Sequence, residues 1–390
     1  MKAARRNTLQ KMAALFCVLS LACSMAAISV CADAPADTAT LARTLALTFA
    51  NADNGSEAWT VHEQTTLYDF YGNVSGYVFD LETPSAAGYI VVGDNDGRDP
   101  VIEFSFEHGS FIQTAKEELH IQNPKVFFVG NLNYYIGRAD GSDLHYYGAG
   151  GLETVEESLE SLQSGTPEMD IDSLVNYLQD LRGGGSSPPQ SGLITIDPSF
   201  YESGFVRSIV GQVVRYPASG RYVDMGDFQG YDHHCGAVYA TNLMIYWNNR
   251  DDCKYKDLMY GSANDVFKGF YDKMGSDVWL PTFDSVVKSH FATYANGCST
   301  NYTWFGATWN EIETGLSENK PVVLLLQKHK EYTDHYVLGV GYAVYRYSDE
   351  SESQYIRIID GWTSNSSRYV HYSAGYQNGG KIHLMRVYPK

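Results

Sequence analysis

Residues 237–247 are apolar nearly all round. A helix with no polar face has to be buried on every side, so this segment predicts a central helix of about three turns. Asn248, Asn249 and Asp251 end it. Cys235 and Gly236 stand directly before it, which puts the Cys235 sulfur at the helix N-terminus, where unpaired N–H groups and the helix dipole favour a thiolate. An inert buried thiol is the other use of a cysteine in such a place, so the neighbouring residues decide.

Three further positions give that thiol chemical company. His335 opens the alternating run HYVLGVGY after a turn-like Tyr-Thr-Asp, so its ring can be held at a sheet rim as a general base. The polar stretch 348–353 then suits a hairpin, and antiparallel return of QYIRIIDGW brings Asp360 back towards His335. A carboxylate there can accept the second imidazole N–H and favour the imidazolium that pairs with a thiolate. Gln229 lies six positions before Cys235, close enough for its loop to return an amide donor to a forming oxyanion. Trp362 follows Asp360 by two positions and either covers the Asp–His contact or serves as a core aromatic.

The rest of the chain places this set in a larger organisation. A Gly/Ser/Pro break, GGGSSPPQSG at 183–192, cannot supply an apolar face and reads as a linker over 183–194. Before it, a helix over 38–52 leads into alternating runs at 77–81, 88–92 and 100–104, an α+β pattern that two short helices within 153–181 bring to an end. After it come the buried helix and then strands at 322–326, 336–344, 355–359, 368–372 and 381–387, so this half is expected to be one helix followed by sheet. With 44% hydrophobic and 14% aromatic residues among 390, two cores can be built.

Residues 1–32 pair a basic head with an apolar run and a small-residue exit at Ala32, the anatomy of a secretory signal peptide. The run is also long enough for an uncleaved anchor. Cleavage would take Cys17, Cys23 and Cys31 and leave Cys235, Cys253 and Cys298, an odd number that guarantees a free thiol. A bridge between Cys253 and Cys298 is open at this stage. Loss of the leader moves the formal charge from −18 to −22, which argues against nucleic acid and anionic membranes as partners. Asp232, His233, His234 and Cys235 are too close in sequence to converge on a metal, and no second Cys/His pair has zinc spacing, so neither metal nor cofactor is expected.

The segments GDFQGYDHHCGAVYATNLMIYW, TDHYVLGVGY and IRIIDGW resemble, in that order, the Gln, Cys-helix, His-strand and Asn/Asp-Trp motifs of papain-like cysteine peptidases. Ala237 after Gly236, and Asp360 where the papain prototype has Asn, move the likeness towards bacterial branches related to streptopain and to bacteriocin-leader-processing peptidases. The stretch GYVFDLETPSAAGYIVVGDNDGRDPVIEFSFEHGSF is similar to the pro-segment of streptopain. The resemblance implies an α+β papain-like catalytic domain over 195–390 behind an inhibitory pro-domain over 33–182. It implies a secreted bacterial thiol peptidase zymogen acting on protein or peptide substrates, with Cys235, His335 and Asp360 catalytic, Gln229 in the oxyanion hole and the pro-domain as intramolecular inhibitor. Two other readings stay open: a papain-fold amidase or transglutaminase acting on cell-wall peptides, and an inactive surface-binding protein.

Overall fold

The computed structural model describes residues 38–52, 57–69, 73–95, 99–128, 134–139, 143–148, 151–154, 206–214, 222–250, 255–303, 305–318, 320–329, 333–347, 350–361, 368–373 and 376–390. The leader, the 183–194 linker, residues 155–181 of the stretch expected to hold two helices, Cys253 and Trp362 lie outside them, while residues 153 and 154 of that stretch form the end of a strand. Among the described residues no helix is long and apolar enough to cross a membrane.

In the N-terminal half, helix α1 (Thr38–Ala50) buries Ala42, Leu45, Ala46, Phe49 and Ala50, the one-sided stripe of a helix laid on a sheet. That sheet is the antiparallel run β1 (Thr60–Tyr68), β2 (Val74–Glu82), β3 (Ala87–Asn95) and β4 (Asp99–Ser105). Helix α2 (Phe111–Leu119) follows and buries Phe111, Ile112 and Ala115. Short strands β5 (Lys125–Phe128), β6 (Tyr134–Gly137), β7 (His145–Gly148) and β8 (Gly151–Thr154) extend the sheet from β1.

In the C-terminal half, β9 (Val206–Val214) is followed by helix α3 (Cys235–Asn248), in which every residue from Gly236 to Trp247 is buried. The expected central helix is therefore present. The expectation of one helix followed by sheet is corrected, because α4 (Ala263–Met274), α5 (Leu280–Tyr294) and α6 (Trp309–Ser317) stand between α3 and the main run of strands. Two of these helices begin with reciprocal capping boxes, Ser262 with Asp265 and Thr308 with Glu311. Each box satisfies N–H groups that a helix start otherwise leaves unpaired. Val266, Phe267, Phe270 and Met274 of α4 and Phe283, Val287 and Phe291 of α5 are buried in the same core as α3, which is why an all-apolar helix is stable there.

The strands β10 (Cys298–Tyr302), β11 (Val322–His329), β12 (Thr333–Tyr347), β13 (Glu352–Ile359), β14 (Arg368–His371) and β15 (Tyr376–Pro389) complete the fold. Their order is β10-β15-β11-β12-β13-β14, and β14 then pairs with β4. One open sheet thus runs through both halves of the chain. Long β12 shares one edge between β11, opposite Leu338 and Gly339, and β9, opposite Gly341 to Tyr347.

Candidate active site

His335 lies near the start of β12, opposite Leu326, and β13 ends with Ile359 paired to Leu338. Asp360 therefore emerges beside the His335 end of β12, as the hairpin reading expects. Gly361 follows with φ +67°, and a Cβ there would meet the Tyr239 hydroxyl at 2.5 Å, so both backbone angle and space require glycine. The main chain just beyond Asp360 is pinned as well, since Met225 N donates to Gly361 O at 2.7 Å.

The loop that precedes Cys235 is held with similar economy. Buried Asn242 of α3 both accepts from Val223 N and donates to Val223 O, each at 2.9 Å. Asp224 and Asp227 cap the 3-10 turn Met225–Phe228, and Gln229 lies exposed at its end. The His234 ring contacts the carbonyls of Tyr231 at 2.6 Å and Met225 at 3.1 Å, which fastens this loop to the start of α3. His233 takes the left-handed conformation, φ 44°, two residues ahead of Cys235, a cost that persists only where surrounding contacts enforce it. One such contact is Asp277 N donating to His233 O at 3.4 Å.

Cys235 is the first residue of α3 and keeps part of its surface open. Main-chain N–H groups of Tyr336, Gly236 and Cys235 itself point at the sulfur and favour the thiolate, but burial outweighs them and pushes the thiol pKa up, with Asp277 adding to the rise. The contact from Tyr336 places the sulfur against the residue that directly follows His335. Gly236 allows the Asp277–Val278 segment to close over this helix end, since a Cβ would lie 2.1 Å from Val278 Cγ1.

His335 Nε2 lies 3.0 Å from the main-chain carbonyl of Asp360 and 3.2 Å from the hydroxyl of Tyr239, one helical turn beyond Cys235. A carbonyl only accepts, so Nε2 carries hydrogen and the lone pair of neutral imidazole sits on Nδ1. Burial pulls the imidazole pKa down to about 4, against the opposing pull of the Asp360 carbonyl and carboxylate, and His234 lowers it further. Burial thus works against the thiolate–imidazolium pair expected from the helix end alone. Desolvation is the reason, because it penalises both charged forms.

The structure joins His335 to the main-chain carbonyl of Asp360 and sets Cys235 against Tyr336, the residue after His335. It places Gln229 on the loop fastened to the same helix end. The Asp360 carboxylate, which the sequence reading directed at the imidazole, forms an ion pair with buried Arg368, its Oδ2 lying 3.0 Å from Nε. Sequence reasoning missed Tyr239 and Arg368. Tyr239 could have been found by its helical spacing of four from Cys235, whereas nothing local marks Arg368.

Residues 224–382 match the Peptidase_C39 like family. The matched span opens at Asp224, the capping residue of the 3-10 turn, and contains Cys235, His335 and Asp360. It supports a cysteine peptidase of papain-like or C39 kind. No curated protein matches the chain. Within the matched span Cys298 also carries a free thiol, whose pKa burial pushes up to about 11. Among the described residues no group of three His, Cys, Asp or Glu side chains could hold a metal ion.

Proposed function

We propose that the chain is a secreted cysteine endopeptidase made as a zymogen, with Cys235 as nucleophile and His335 as acid and base. The observation that carries this reading is the junction of Cys235, at the start of a buried helix, with the main chain following His335, whose Nε2 is held by the Asp360 carbonyl. On substrate binding, the thiol proton passes to Nδ1 of His335 and the thiolate attacks the peptide carbonyl carbon. The oxygen of the tetrahedral intermediate takes hydrogen bonds from the Cys235 main-chain N–H and from the side-chain amide of Gln229. The imidazolium returns its proton to the departing amine, leaving a thioester. Water, deprotonated by the same imidazole, hydrolyses the thioester and regenerates the thiol.

Latency fits the electrostatics, because burial that disfavours the thiolate and the imidazolium makes a poor nucleophile and base until the site opens. The leader read over 1–32 directs export, and cleavage within 183–194 separates the N-terminal half. The test is incubation of the purified full chain with and without Cys235→Ala, followed by N-terminal sequencing of products and a protein-substrate assay. Maturation and proteolysis by the parent alone are expected. A Cys235→Ala chain that matured and digested substrate equally well would remove the reading.

A further inference from the structure

Arg368 of β14 is buried between two carboxylates from opposite halves of the chain. Its Nε lies 3.0 Å from Asp360 Oδ2 and its Nη1 3.7 Å from Glu103 Oε2 on β4. The three side chains are 3% exposed or less. The Tyr89 hydroxyl of β3 faces Glu103 and the Tyr147 hydroxyl of β7 faces Arg368. Beside this cluster is a cavity of about 330 Å³ lined by Tyr89, Ser110, Phe111, Tyr147 and Arg368. The cluster sits where β4 pairs with β14 through Tyr369 opposite Phe104 and Val370 opposite Glu103.

One guanidinium cannot neutralise two carboxylates in a dry interior. Asp360 has the shorter contact, which leaves Glu103 as the undercompensated group. We propose that Arg368 is the positioning residue for the Asp360 carboxylate, and that Glu103 makes the same guanidinium a latch holding the N-terminal half, released when Glu103 loses its proton. The inference rests on Asp360 belonging to the active site.

The direction of the pH effect follows from the surroundings of Glu103. Burial raises its carboxyl to about 7; Arg368 opposes the rise, the Asp360 charge adds to it, and the Tyr89 hydroxyl works against it. With the halves apart, the same carboxyl reverts to its ordinary value of 4.5. Docking therefore takes up a proton. It is strongest in acid, weakens as pH rises from about 4.5 to about 7, and levels off above that.

The test uses the full chain carrying Cys235→Ala, so that self-cleavage cannot intrude, with amide hydrogen exchange read at 99–105 and 368–371. After correction for intrinsic rates, opening should grow by up to about tenfold per pH unit between 5 and 7. Adding Glu103→Gln should flatten this dependence. An unchanged slope in the Glu103→Gln chain, or opening that grows towards acid, would overturn the latch. This readout needs no catalysis, so it remains decisive should the peptidase reading fail. Arg368→Lys in the otherwise native chain tests positioning: kcat should fall about tenfold at unchanged KM, with a shifted acid limb of the pH profile. Equal loss through KM, or an unshifted profile, would reduce Arg368 to packing.

Discussion

The surroundings of Cys235 and the junction between β4 and β14 are both buried, yet they are held by different kinds of group. Around Cys235 and His335 the contacts are largely main-chain: N–H groups at the sulfur, the Asp360 carbonyl at Nε2, and Met225 N on Gly361 O. At the junction the short main-chain pairing of β4 with β14 is backed by side chains. Arg368 meets Asp360 and Glu103, Arg357 donates to Glu107 at 2.6 Å, and Phe104 stacks on Tyr369 with centroids 4.6 Å apart. Main-chain groups neither titrate at ordinary pH nor vanish on substitution. The difference implies that changes at Glu103 or Glu107 can loosen the N-terminal half without touching the main-chain contacts at Cys235 and His335, whereas changes at Arg368 reach both regions.

The most severe way to break the junction is Arg368→Met, which strands two buried carboxylates. It should cost about 3–5 kcal/mol of stability, measured by urea denaturation. An effect below about 1 kcal/mol would mean that the Arg368 guanidinium is not what holds these groups.

The two regions should also respond to acid in opposite senses. His335 is held neutral, with its pKa lowered from 6.5 to about 4. Its contribution to stability is therefore complete above 6.5 and lost as pH falls towards 4, a change of roughly 3 kcal/mol. The junction, by contrast, tightens over much of that range. Denaturation of the Cys235→Ala chain across pH 4–7, with and without His335→Gln, separates them, because the histidine change should remove the acid loss and leave exchange at β4 unaffected.

Asp360→Asn sharpens the comparison further. The carbonyl that fixes the His335 tautomer survives this substitution, so kcat/KM should fall only about 10- to 100-fold, short of the roughly 10⁴-fold loss seen where a side-chain carboxylate sets the tautomer. A loss at the larger figure would show that the carboxylate, not the main chain, orients the ring. The smallest effect belongs to Tyr239→Phe, which removes one hydroxyl from Nε2 and should cost about 1 kcal/mol with a severalfold drop in kcat.

The same distinction governs what the amino-acid sequence discloses. The all-apolar run of α3 and the alternating strands are legible because burial leaves a period in the letters. Helices α4 and α6 also carried signals, Ser262 with Asp265 and Thr308 with Glu311, each followed by an apolar stripe, although only the strands beyond them were anticipated. Cys235, His335 and Asp360 stand in recognisable contexts. The use of Asp360 through its carbonyl could not be read, since every residue has one. Nor could the pairing of Glu103 with Arg368, which spans most of the chain and depends on β4 meeting β14.

The central claim is that Cys235 and His335 act as one nucleophile and base. Exposure of the chain, after cleavage within 183–194, to an epoxysuccinyl peptide, with mass-spectrometric mapping of the adduct, tests it most directly. The account predicts modification of Cys235 in preference to Cys298, abolished by His335→Ala. Equal labelling of the two cysteines, or Cys235 labelling indifferent to the loss of His335, would contradict it.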